Sequence, residues 1–527
     1  YLYIFFIYYS LSNLHQKMNL PSILCSILLA AVIAWGVKLL NWVWLRPRRL
    51  QKLLRHQGLK GNSYRLLLGD MKDLISVIKQ EQFKPIQLSD DLAPHMFPYF
   101  HQIISKYGEN CFIWFGPSPR LIITDPKIVR EILARPDIFR KPLPDPIGQT
   151  VAGGLLYLEG QKWAKHRKII NPAFHMDKLK SMVPVIGLSC LDMMGKWEAL
   201  VGSDGSGGDS VVEIDVWPFI EDFSGDVISR VAFGSSHEKG RRIFELQKEL
   251  VKLVLEVIQF MFIPGWRFVP TKANRRTKAM SEEIRSLLKG IIEQREKAMG
   301  SEKKVGSEGD LLGTLMESNR EAHGMSIEDV IEECKLFYFA GSETTSLVVV
   351  WTLVMLSKHQ EWQARAREEV LQVFGERHPS YDGLNRLKIV TMILNEVLRM
   401  YPSVPLLARA PTETVKLGDM TVPVGVDLML LIGAMHHDPK IWGDDVSEFK
   451  PERFESGMRG QSGFMPFSGG PRVCIGQNLG MIEAKIAVAM MLQRFSFELS
   501  PSYLHTPFLI ITLQPQHGVP LLLRKLK

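Results

Sequence analysis

The stretch Ser326–Lys358 constrains the fold of this chain more than any other segment. Its pattern is helical throughout, and Ser326 and Asp329 stand at the spacing of an N-terminal capping box. About 33 helical residues at about 1.5 Å each reach about 50 Å, enough to cross a whole domain. Further helical patterns run over His359–Phe374, over Ile389–Tyr401, where Pro402 stops the helix, and over Asn478–Phe495. Strand-like segments punctuated by Gly and Pro occur near Val415–Leu430 and Phe508–Leu523. These elements predict a mainly α fold with a minor β part.

The 527 residues, 46% hydrophobic and 23% charged, are ample for one large core. Two segments dominated by Gly, Ser and charge, Gly202–Ser210 and Gly300–Asp310, read as solvated loops within that domain. Lys and Arg (64) exceed Asp and Glu (56) by 8, yet the cations are spread along the chain. That distribution argues against a nucleic-acid partner and suits an anionic membrane surface or an acidic protein.

Leu20–Leu45 is apolar except for Lys38, Asn41 and a few small polar residues, long enough for a bilayer core of roughly 30 Å. Arg46, Arg48, Arg49, Lys52 and Arg55 follow at once, so the positive-inside rule leaves the body of the protein on the cytosolic side. A cleaved signal peptide fits less well, because the run is too long and no small-residue cleavage site precedes the basic cluster. Residues 1–17, ahead of an initiator-like Met18, read as an upstream extension foreign to the native protein. The expected organisation is a single-pass anchor over 18–45, a basic amphipathic lead-in over 46–80 and one large domain over 81–527.

The five cysteines include no CxxC pair and no close Cys/His set, so neither a zinc site nor a disulfide scaffold is indicated. Cys25, Cys111, Cys190 and Cys334 read as inert thiols. Cys474 differs. It lies in Phe464–Gly480, FMPFSGGPRVCIGQNLG, between a glycine-rich loop and a helical pattern, where a helix dipole favours thiolate. Gly469, Gly470 and Gly476 allow positive φ and close approach, so peptide N–H groups can face the sulfur.

Phe467, Gly470, Arg472, Cys474 and Gly476 match F-x-x-G-x-R-x-C-x-G, and on these residues the chain resembles the cytochrome P-450 family. The resemblance implies the P-450 fold, haem b with Cys474 as the metal ligand, and Arg472 paired with a haem propionate. Ala340–Thr345, AGSETT, match the family's (A/G)-G-x-(D/E)-T-T motif. There Ala340 and Gly341 make room beside the helix for oxygen and water, and Thr344 with Glu343 relays protons for oxygen activation. Glu396 and Arg399 match E-x-x-R, and Pro451–Phe454 matches P-E-R-F, which implies that Glu396, Arg399 and Arg453 form a buried structural triad. Trp163 and Arg167 fit W-x-x-x-R, and Arg409 stands four residues after Pro405, both patterns implying propionate contacts.

These motifs, in the family's order from Trp163 to Gly476, cover the domain nearly end to end. The proline-rich hinge usual after the anchor is reduced to Arg46-Pro47-Arg48-Arg49. The lead-in LQKLLRHQGLKGNSYRLLLGD, and HRKIINPAFHMDKLK after Trp163, resemble the plant clan of secologanin synthase, deoxyloganate hydroxylases, triterpenoid oxidases and some gibberellin oxidases.

The expected function is an NADPH- and O₂-dependent monooxygenase acting on a hydrophobic terpenoid at the endoplasmic reticulum membrane. Its electrons come from NADPH–cytochrome P-450 reductase, a flavoprotein, with cytochrome b5 as a second candidate partner. Lys162, Lys165 and Lys168 are candidate contacts for such a partner. Two other functions fit a haem-thiolate chain: a peroxide-rearranging enzyme, against which the Glu343–Thr344 pair argues, and a haem- or sterol-binding membrane protein without turnover. The substrate pocket should draw on the Pro94–Thr150 loop, the residues before Ala340, Val404–Leu407 and the Pro507–Ile510 turn.

Overall fold

The computed structural model describes residues 20–526 except 82, 143–145, 203–210, 235–236, 258–259, 261–262, 264, 301–309, 321–323 and 458–461. The segment 1–17 and nearly all of the two Gly/Ser-rich loops lie outside the described residues. The long helix spans Ile327–Lys358. Its capping box is formed: the Asp329 N–H donates to Ser326 Oγ at 3.1 Å and the Ser326 N–H to Asp329 Oδ2 at 3.2 Å. Every residue from Thr345 to Ser357 is buried, so the second half of the strut is enclosed on all sides. It is long and apolar enough to cross a membrane, but its burial makes it the core helix of the domain. Helices Trp217–Phe233 and Gln477–Arg494 pack along it.

Helices Gln360–Phe374, Lys388–Met400 and Gln477–Arg494 fall within a residue of the patterns read from the sequence. The apolar strand-like runs are each divided by a turn. Val415–Leu417 and Met420–Val422 form a hairpin, and Asp427–Leu431 joins a different sheet. That sheet has six strands, in the order Lys60–Gly61, Cys111–Phe115, Ser118–Ile123, Asp427–Leu431, Leu406–Pro411 and Phe139–Arg140. Its antiparallel pairing of Leu406 with Leu431 and Arg409 with Leu428 fixes the strand that carries Arg409. Likewise Pro507–Leu509 pairs with Leu513–Pro515, while Pro520–Lys525 lies between Phe495–Leu499 and Val211–Asp215.

At the N-terminus an α-helix over Leu20–Leu40, a π-turn over Asn41–Leu45 and an α-helix over Arg46–His56 form one rod. Pro47 accounts for the π-turn: with no N–H and a bulky ring it cannot serve the carbonyl of Val43, four residues back. The Tyr64 hydroxyl donates to that carbonyl instead, at 2.7 Å. Leu50 and Leu54 bury the far end of the rod beside Phe112 and Trp114. The apolar part projects clear of the body, with Ile33 57% and Trp35 65% exposed, as a candidate membrane span.

Candidate functional site

The loop before Cys474 is closed by its own backbone, the Cys474 N–H donating to the Phe467 carbonyl at 3.0 Å. Of the three glycines expected to use positive φ, only Gly470 does, at +66°, and a Cβ there would lie 2.2 Å from the Leu133 carbonyl oxygen. Gly469 is extended at −160°, and Gly476, at −90°, simply precedes the helix Gln477–Arg494. The loop turns on either side of Gly469, so the second left-handed position falls to Ser468, at +64°.

Cys474 opens onto a cavity of about 310 Å³ although protein surrounds it on the other sides. Burial pushes its thiol up; the N–H groups of Gly476 and Gln477, together with Arg167, act the other way. Those two N–H groups belong to the start of the helix, whose dipole points the same way. These N–H groups and Arg167 are placed to favour a thiolate on the sulfur against the effect of its burial.

Opposite the loop the cavity is bounded by Ala340, Gly341, Thr344 and Val348 of the central helix, with Phe337, Val404 and Leu407 as apolar wall. The Thr344 hydroxyl donates to the Ala340 carbonyl at 2.8 Å, and Ser403 Oγ donates to the Thr344 carbonyl at 2.9 Å. Gly341 serves packing: a Cβ there would meet Ile228 Cδ1 at 2.6 Å. The strand Pro507–Leu509 is not among the lining residues.

One edge of the cavity carries Lys141, Arg409 and Arg472. Arg472 pairs with Glu159, donates to the Leu158 carbonyl at 3.0 Å and lies 4.6 Å over the Trp163 ring. Burial and the two guanidinium groups bring the Lys141 amine down to about 7, and burial with Arg472 brings Arg409 down to about 10. Three cations thus stand beside Glu159, with Asp137 also acting on Arg472, and Arg472 Nε is buried with no hydrogen-bond partner. Among the described residues the edge keeps a surplus of positive charge.

The profile of the family described as Cytochrome P450 matches residues 85–518. The chain belongs to the cytochrome P450 family. It is 49% identical over 521 residues to cytochrome P450 CYP72A219 of Panax ginseng, covering 97% of this chain and 99% of that one. It is 51% identical over 504 residues to cytochrome P450 72A397 of Kalopanax septemlobus, covering 93% and 96%. Over 526 residues it is 48% identical to the 7-deoxyloganic acid hydroxylase of Catharanthus roseus, covering 97% and 100%. It is a haem-thiolate monooxygenase of the plant CYP72A type, and the family's haem iron receives its electrons from a reductase.

Haem suits the residues present in this P450. A thiol opens onto the cavity, and the surplus of positive charge along its edge suits the propionates of the group. Arg167 stands apart from that edge, donating to the Val473 carbonyl and to Asn171 Oδ1, each at 2.9 Å, and so braces the cysteine loop. Lys162 pairs with Asp329 at 2.7 Å and Lys165 donates to the Gly324 carbonyl at 2.6 Å, both facing the start of the central helix.

Glu396 and Arg399 form a bidentate pair at 2.7 and 2.8 Å with neither side chain exposed, and Arg453 Nε lies 3.4 Å from Glu396. Arg399 also donates to the carbonyls of His436 at 3.0 Å and Glu448 at 3.3 Å. The pair thereby ties helix Lys388–Met400 to the segments on both sides of Trp442.

Glu343 does not line the cysteine cavity. It faces a second space of about 260 Å³ together with Glu221 and Lys248. There it accepts from Thr512 Oγ1 and from Gln514 Nε2, the latter at 2.5 Å, while burial raises its carboxyl. Two cavity groups are not legible in the sequence, Lys141 and Glu483, which accepts from Ser224 Oγ at 2.7 Å, and neither is Glu159 beside Lys141. A glutamate inside the apolar run MIEAKIAVAMML was the available signal for Glu483.

Proposed function

We propose that this P450 hydroxylates a hydrophobic plant terpenoid, an iridoid or triterpenoid before a gibberellin-like diterpenoid. NADPH is the electron source, through NADPH–cytochrome P450 reductase, with cytochrome b5 as an accessory donor, at the cytosolic face of the endoplasmic reticulum membrane. The observation that carries the reading is the meeting, in one cavity, of Cys474, a cationic edge, Thr344 and an apolar wall. The relative named 7-deoxyloganic acid hydroxylase supports an iridoid among the substrates to test first.

When bound, haem supplies oxygen activation and insertion of one oxygen atom into a C–H bond. Cys474 would hold the iron as thiolate, steadied by the Gly476 and Gln477 N–H groups. Arg409, Arg472 and Lys141 would hold the propionates, with Trp163 beneath Arg472. Phe467 and Gly470 shape the loop, and Glu396, Arg399 and Arg453 keep the scaffold behind it rigid. Phe337, Val404 and Leu407 exclude water and orient an apolar substrate. Thr344 Oγ1 gives its own proton to the Ala340 carbonyl, which leaves its lone pairs to accept and position a proton-bearing water in the cavity. Glu343, whose burial favours the protonated carboxyl, lies behind the helix.

Microsomes carrying the chain and a reductase, incubated with NADPH and a terpenoid panel and analysed by mass spectrometry, test the reading. A product larger by one oxygen is expected from at least one iridoid or triterpenoid. Thr344→Ala should keep haem content and substrate binding, continue to consume NADPH, and shift the yield from hydroxylated product to hydrogen peroxide. An unchanged product-to-NADPH ratio would leave Thr344 as a helix residue only.

A further inference from the structure

We infer that the groove between helix Arg46–His56 and the segment Ser63–Tyr64 binds the phosphate of an anionic phospholipid headgroup. The groove encloses about 690 Å³. Arg48, Lys52 and Arg55 stand three or four residues apart along one helix face beside it, His56 follows four after Lys52, and none of the lining residues is acidic. Its other wall is fixed: the Tyr64 N–H donates to Gln51 Oε1 at 2.8 Å, and Arg55 donates to Ser63 Oγ at 3.0 Å. The Arg55 guanidinium is thus aimed along the groove while the side chains of Arg48 and Lys52 remain exposed.

Position selects the ligand, and this step rests on reading the N-terminal helix as a membrane span. Leu24–Leu45 rises about 33 Å, close to the roughly 30 Å of a bilayer core. Arg48 therefore enters the headgroup layer immediately beyond it, and its guanidinium lies 3.7 Å over the ring of Trp44, a residue type that favours that boundary. The rod cannot swing freely away from the body, because the Tyr64 hydroxyl holds the Val43 carbonyl. A lipid phosphate at this depth meets a cationic groove already formed, whereas a free phosphate would have to leave bulk water for it. Near an anionic surface each Lys or Arg contributes about five-fold in affinity, so three give on the order of a hundred-fold.

The test uses the full haem-loaded chain in nanodiscs and native mass spectrometry of the lipids that it retains. Phosphatidylserine should be held in preference to phosphatidylcholine of the same acyl chains. Arg48→Gln/Lys52→Gln/Arg55→Gln should lose that preference by about a hundred-fold, while Arg48→Lys/Arg55→Lys should keep most of it. Lys272→Gln/Lys278→Gln/Lys289→Gln, with the same charge change on a distant exposed helix, should leave it intact. No serine preference in the unmodified chain, or equal loss in the distant variant, overturns the proposal. Release of the lipid by millimolar inorganic phosphate overturns the lipid assignment in favour of free phosphate. Carbonate-washed membranes test the span separately: a chain that stays in the pellet but shows no lipid preference refutes the groove alone.

Discussion

Glu483 gives the most demanding test of the packing around the haem cavity. Helix Gln477–Arg494 buries it completely, and this burial, opposed by the hydrogen bond from Ser224 Oγ, raises its carboxyl from 4.5 to about 8. The folded chain therefore keeps a proton that the unfolded chain releases. Its stabilising contribution is full below about pH 4.5, falls as pH rises toward about 8, and is lost above that. That gap, at about 1.4 kcal/mol per pH unit, amounts to roughly 5 kcal/mol, an upper figure for a buried group.

Glu483→Gln keeps the size of the side chain and an acceptor for Ser224 but cannot ionise. At about 2 cal/mol/K per residue, a chain of this length unfolds with an entropy near 1 kcal/mol/K, so 5 kcal/mol corresponds to roughly 5 °C. Apparent melting temperatures of both proteins, at one scan rate and across the range from about pH 5 to about pH 8, isolate the effect by difference. The variant should match the unmodified protein at the acid end and melt several degrees higher at the alkaline end. A gap that does not change with pH would refute the buried, protonated carboxyl.

Other outcomes follow from the same cavity. Cys474→His should abolish the strongly red-shifted Soret band of the reduced carbon-monoxide complex, and a retained band would remove Cys474 as the iron ligand. Arg409→Ala should release haem to an apo-globin trap roughly thirty-fold faster, the equivalent of about 2 kcal/mol for a buried charge pair; an unchanged rate would take Arg409 out of the propionate edge. Glu396→Ala leaves Arg399 buried without its partner and should cost roughly 3–5 kcal/mol, read as a lower urea midpoint. A cost under about 1 kcal/mol would mean that the pair is solvated.

Much of this molecule can be read from its chain because its strongest signals are local. The capping box at Ser326, the stop at Pro402 and the loop around Cys474 depend on neighbours a few residues away, and their positions emerge within a residue. What stays hidden depends on distant parts of the chain. Lys141 gains its role only because strand Leu406–Pro411 brings Arg409 to its side and the cysteine loop brings Arg472. The partners of Lys162 and Lys165 lie more than 150 residues away, so their spacing on a helix says nothing of the face they meet. Gly341 and Gly470 show the same limit: one admits Ile228 and the other the Leu133 carbonyl, neither predictable from a glycine in isolation.

Glu343 and Thr344 carry the point furthest. As letters they are one motif, and the motif suggests an acid and a hydroxyl acting side by side. Consecutive residues on an α-helix, however, diverge by about 100°, so the two side chains cannot share a face. Thr344 lines the cysteine cavity, whereas Glu343 opens onto the space behind the helix with Glu221 and Lys248. Lys248 pairs with Glu221 there at 2.7 Å. The central helix is thus the partition between a space that holds an acid and a space that holds the thiol. A proton passing from Glu343 to Thr344 has to cross at the turn where the Thr344 hydroxyl already engages the Ala340 carbonyl. Gly341, the smallest residue of that turn, leaves no gap there, because Ile228 fills the space beside it.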